Sequence, residues 1–100
     1  MNDLVKYSNP EVVKENMKKY FRNNNIPLYI STNPKKKYML RVPMTNKFVH
    51  FGEMGFSDFT KHQDINRRNR YLARATKIRG NWKNDPYSPN NLSLALLWGA

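Results

Sequence analysis

The stretch FGEMGFSDFTKHQDINRRNRYLARATKIR, Phe51 to Arg79, decides the fold. Gly52 and Gly55 bracket Glu53-Met54, a spacing that suits a tight turn with positive φ. Ser57 or Asp58 is placed to cap a single helical turn containing Phe59, and Asp64 to cap a longer helix. That helix is expected from Ile65 to about Arg79, with Gly80 as its stop. The stretch therefore turns out of a strand and into a helix, which points to an α+β domain.

At about 100° per residue the faces of this helix separate. Arg67, Arg70, Arg74 and Lys77 fall within an arc of roughly 80°. Ile65, Leu72 and Thr76 lie opposite and are expected to face the core. Tyr71 and Ile78 border the basic stripe. Arg68 and Arg79 share the side of Leu72, so a structural role suits them, with Asp64 four residues ahead as the natural partner of Arg68.

Before this stretch the chain reads as scaffold. Residues 1–8 are expected to form a loose tail. Asn9-Pro10-Glu11 is a helix start: Asn caps, Pro takes the first helical position and the acid meets the positive helix end. Val13, Met17, Tyr20 and Phe21 recur at helical spacing, and Asn23-Asn24-Asn25 provides a stop, giving a helix over 9–25. Three β-like runs occupy 26–52. Leu28–Thr32 is short, Lys36–Val42 alternates, and Lys47–Phe51 returns after the turn Pro43-Met44-Thr45-Asn46. Tyr38, Leu40 and Val42 share one face of the second run. Lys37, Met39 and Arg41 share the other, which the cations mark as a solvent face. Residues 26–52 hold five basic residues and no acid. Lysine that protects a sheet edge from aggregation is the plain reading of those charges; ligand contact is the sharper one.

After the stretch comes a loop containing Trp82, and Ser88-Pro89 opens a short apolar helix. Leu92, Leu96, Leu97 and Trp98 dominate it. Folding back onto the chain's own core is the default for such a tail in a small domain. The expected architecture is one α+β domain over 1–100: an N-terminal helix, a small three-stranded antiparallel sheet, a long basic helical segment over 57–80, and a closing helix over 88–98.

Charge is the strongest compositional signal. Lys and Arg number 18 against seven acids, a formal charge of +11 in 100 residues. Such an excess repels itself unless a polyanion or an acidic surface screens it. Cysteine is absent, which excludes disulfides, thiolate chemistry and Cys-ligated metal. No run approaches the ~20 apolar residues of a spanning helix. The expectation is a soluble protein of the cell interior, or one enclosed in a particle assembled there. His50 and His62 have no partner at metal-ligand spacing, and no P-loop, GxSxG or HExxH occurs. No catalytic residue, metal or cofactor is expected.

The residues also carry a resemblance. The string KKYMLRVPMTNKFVHFGEMGFSDFTKHQDINRRNRYLARA, followed by NW, DPYSPNNLS and LLW, resembles a family of short basic proteins encoded by nucleocytoplasmic large DNA viruses and related environmental viruses. Lys37-Tyr38, His50-Phe51-Gly52, Asp58-Phe59-Thr60, His62, Asp64, Arg67-Arg68, Tyr71, Arg74, Trp82 and Leu96-Leu97-Trp98 carry it, over about residues 36–98. The chain has Gln63 and Ala75 where the pattern calls for Lys and His. The resemblance implies a viral origin more than a mechanism.

The functional expectation is non-enzymatic, sequence-tolerant nucleic-acid binding, with DNA the expected partner. Arg67, Arg70, Arg74 and Lys77 would meet phosphates, Lys37, Arg41 and Lys47 would add to them, and Tyr71 would stack or hydrogen-bond. The competing expectation is a minor capsid or other structural virion protein, using the basic surface and the apolar C-terminal helix against protein partners. A third is a viral regulator that binds a host protein.

Overall fold

The computed structural model describes residues 4–22 and 26–99. Helix α1 spans Pro10–Tyr20, with Asn9 Oδ1 accepting from the Glu11 amide at its start. Strands β1 (Tyr29–Ile30), β2 (Lys36–Arg41) and β3 (Phe48–Glu53) form an antiparallel sheet in the order β1-β2-β3. A single helical turn, α2 (Phe59–His62), leads into α3 (Ile65–Ala75). Helix α4 (Pro89–Leu92) continues as a π-helical segment, Ser93–Leu97. The fold is α+β, with the N-terminal helix, three-stranded sheet and closing helix expected from the sequence.

The caps follow local chemistry. Asp58 accepts from the Thr60 amide and Asp64 from those of Asn66 and Arg67, satisfying amides that a helix start leaves unpaired. Ser88 accepts from the Asn91 amide, with Pro89 in the first turn. Gly52 and Gly55 have φ of +81° and +98°.

The core forms where the sheet and α1 meet the C-terminal helix. Tyr38, Leu40 and Phe51 from the sheet pack with Val13, Met17 and Phe21, and with Leu92, Leu96 and Leu97. The C-terminal helix contacts both α1 and β3, so it is the central layer rather than an appendage. Leu92, Leu96 and Leu97 are at most 1% exposed, a burial worth about 1.5–3 kcal/mol per side chain. The wider π turn lets Ser93, Leu94, Leu96 and Leu97 all be buried within one short segment. Asn16 Nδ2 donates to the Leu96 carbonyl at 2.9 Å, tying α1 to this helix.

Several boundaries differ from expectation. Residues 4–8 are not a loose tail: Leu4 is in the core at 2% exposure and Ser8 is buried at 1%. Helix α1 closes at Tyr20, where the Phe21 amide bonds back to the Met17 carbonyl; the Asn23-Asn24-Asn25 stop lies outside the described residues. Helix α3 ends at Ala75, before Arg79, and the Thr76 hydroxyl donates to the Leu72 carbonyl at 2.7 Å there. A hydroxyl bonded back in this way competes with helix propagation.

Candidate nucleic-acid interface

Helix α3 turns Arg68, Tyr71, Leu72 and Ala75 inward, at spacings of three, four and seven. Ile65, expected in the core, is 57% exposed, and Thr76 is exposed as well. The cause is at the other side of the interface. Trp98 stacks on Tyr71 with ring centroids 4.1 Å apart and planes 9° from parallel. This aromatic pair, not an aliphatic stripe, sets the rotation of α3. Burial pushes the Tyr71 phenol above its ordinary value, so the ring stays neutral beside the arginines. Tyr71 is thus half-buried packing that shows one edge to the site, not a free contact residue.

Arg68 is structural, as expected, but its partner is not Asp64. Its Nε donates to the Trp98 carbonyl at 2.7 Å and its Nη2 to that of Gly99 at 3.0 Å. The guanidinium also lies over the Phe59 ring, 5.5 Å from the centroid. One cation therefore ties α3 to the carbonyls that end the C-terminal helix, where positive charge suits the helix dipole. Arg79, expected beside Arg68, lies beyond α3 and is exposed.

Outward from this seam opens a groove of about 670 Å³. Arg67, Arg70 and Arg74 form one wall, and Lys36 and Glu53 stand on the sheet side. The floor is apolar, with Phe51, Tyr71, Leu97 and Trp98, while Phe56 and Ile78 are 66% and 53% exposed. From Arg67 to Arg74 is about 10.5 Å along the helix axis, two turns of guanidinium on one side. Among the described residues none of these three arginines makes an ion pair. Lys77 falls past the end of α3, is exposed, and does not line the groove.

Lys37 requires the largest correction. Expected on a solvent face, it is 2% exposed. Its Nζ donates to Asp58 Oδ2 at 3.1 Å, to the Phe56 carbonyl at 2.6 Å and to the Tyr7 carbonyl at 3.4 Å. Burial lowers the pKa of this ammonium and Asp58 opposes that shift. All three N–H donors are engaged, so Lys37 has none left for a phosphate. Behind it runs a buried chain: Tyr38 donates to Ser8, Ser8 lies 3.2 Å from Thr60, and Thr60 donates to Asp58. The network clamps the turn after β3 to the N-terminal segment. A single acid set between Phe56 and Phe59 was the available sign that Asp58 is buried and needs a cation.

Arg41 and Lys47 are exposed at the opposite end of the hairpin. Lys36 pairs with Glu53 at the groove end and Arg41 with Phe48 at the turn end. Five residues of strand separate the two ends, about 17 Å. The cations therefore form two surfaces, not one.

Among the described residues, no helix is long and apolar enough to cross a membrane, and no cluster of three or more His, Cys, Asp or Glu could hold a metal ion. The geometry defines a small α+β domain with a cation-walled groove and a basic sheet. Residues 26–75, from the sheet through α3, match the model of a family described as "Family of unknown function (DUF5754)", and the chain belongs to that family. No curated protein and no solved structure matches it. The matched segment takes in β1, which precedes the stretch that carried the viral resemblance, and stops before the C-terminal helix.

Proposed function

We propose that this chain is a non-enzymatic protein that binds nucleic acid with little regard to sequence, in a viral setting. The observation that supports this reading is the wall of Arg67, Arg70 and Arg74: three exposed guanidiniums, without an acidic partner among the described residues, along one side of one groove. Guanidiniums so placed contact phosphates through charge-assisted bonds and release counterions as they do. The apolar floor gives sugars and base edges a dry surface. Glu53 on the far side disfavours a second polyanion strand there.

A salt titration of DNA affinity by fluorescence anisotropy tests it. Log K is expected to fall linearly with log salt, by about 0.9 per phosphate contact on duplex and 0.7 on single strands. Replacing Arg67, Arg70 and Arg74 together with Gln should flatten that slope by about two to three units. An unchanged slope would reduce the wall to a solvated face. The structural-virion alternative would use the same basic surface together with the apolar tail, and that tail is buried in this chain's own core.

A further inference from the structure

The turn end of the hairpin carries a surface that the groove does not use. Tyr29 pairs with Met39, and Met39 with His50, so these three residues share one face of the sheet. Arg41 and its partner Phe48 fall on the same face, two residues further along. Tyr29 and Phe48 are 42% and 43% exposed. Their rings meet edge to face with centroids 6.0 Å apart. The Arg41 guanidinium lies over Phe48, 5.5 Å from the centroid. On the opposite face Tyr38, Leu40 and Phe51 are each at most 1% exposed, while on the Tyr29–Phe48 face Lys37 is buried at the groove end, so the aromatic surface left to solvent is confined to the turn end of the hairpin.

Charge says what such a side receives. Arg41 and Lys47 lie exposed beside these rings, and residues 26–52 contain no acid. A phosphate backbone alone would be served by the cations. Exposed rings gain little from a duplex, whose bases already stack on one another and must be unstacked, at a cost, before a ring can enter. They do add affinity for unpaired bases, each of which has a π face to lay on an aromatic ring or a guanidinium plane.

We propose that this face is a base-stacking platform and that the chain's nucleic-acid ligand is single-stranded. Tyr29 and Phe48 stack bases, while Arg41 and Lys47 hold the adjoining phosphates. This rests on the nucleic-acid reading above and specifies its ligand.

Anisotropy titrations on the full chain, with a labelled single-stranded oligonucleotide of mixed sequence and its duplex, test it. The single strand is expected to bind at least about 10-fold tighter. Tyr29→Ala with Phe48→Leu, which keeps apolar bulk at 48 but removes both π faces, should weaken single-strand binding roughly 10–100-fold. Duplex affinity and the salt slope should stay unchanged, since stacking releases no counterions. Phe48→Trp restores a larger ring and should hold or tighten single-strand binding, which guards against misfolding of the double variant. Equal affinity for the two forms, parallel losses on both, or a Phe48→Trp variant that binds single strands as weakly as the Tyr29→Ala, Phe48→Leu double variant would overturn the platform while leaving the arginine wall intact. Failure of both forms to bind at low salt would remove both readings.

Discussion

Removing the Lys37 ammonium strands a carboxylate that is 1% exposed. Lys37→Met is therefore expected to cost roughly 3–5 kcal/mol in a urea titration, because a buried charge is left without its partner. Lys37→Met combined with Asp58→Asn should recover part of that loss, since Asn still accepts from the Thr60 amide and carries no charge. Gly52 is a second sensitive position. A Cβ there would lie 2.7 Å from Leu97 Cδ1, on a backbone already at φ +81°. Gly52→Ala should destabilise by more than about 1 kcal/mol, the usual scale for a residue forced to positive φ. His62 supplies a pH test. Its Nδ1 accepts from the Asp64 amide at 2.9 Å, and burial, then Arg67, hold its pKa below the ordinary value. Lys37 adds to that lowering, and Asp64 and Asp58 oppose it. The unfolded chain then takes up the proton first, so stability should fall as pH drops below about 6.5. A series of thermal melts between neutral and mildly acid pH checks this, and His62→Gln should flatten the dependence. Residue type made the caps legible, because Asn9, Asp58, Asp64 and Ser88 act on amides two or three positions away. It did not reveal Lys37, whose partner is 21 positions off and whose strand alternation argued for solvent.

At the scale of elements, the position of α3 depends on one aromatic stack and one guanidinium. Arg68→Gln should leave the core intact yet release the carbonyls of Trp98 and Gly99. The expected readout is faster amide exchange confined to α3 and the last turn of the C-terminal helix, with global stability lowered by about 1–3 kcal/mol, as for a lost charged hydrogen bond. Helical spacing placed the stripe of Arg67, Arg70 and Arg74 on one side, and the groove does contain all three. It misplaced Ile65 and Thr76 because periodicity weighs apolar residues alike. The actual seam is built on Tyr71, Ala75 and an arginine stem, facing a tryptophan 27 residues beyond Tyr71. The end of α3 was misread for a related reason: Gly80 is a stronger stop signal than Thr76, but the Thr76 hydroxyl acts first.

For the molecule as a whole, +11 on 100 residues is a standing repulsion. A polyanion that binds the folded chain stabilises it by mass action, whereas the bare chain should gain stability from added salt. Thermal melting with and without oligonucleotide, at low and at raised salt, should show both effects, the first shrinking as the second grows. The composition disclosed that imbalance plainly, but not its division into a groove and a sheet face about 17 Å apart along the hairpin. The central layer of the core has a kinetic consequence. The last helix joins α1 across 80 positions of sequence and also seals the sheet. Pairings so distant make folding slow, because the loop-closure entropy is lost before the contacts form. A ribosome delivers α1 and the sheet long before residues 92–98 emerge. Until then the nascent chain exposes Val13, Met17, Leu40 and Phe51 together, and a chaperone has that interval in which to hold them.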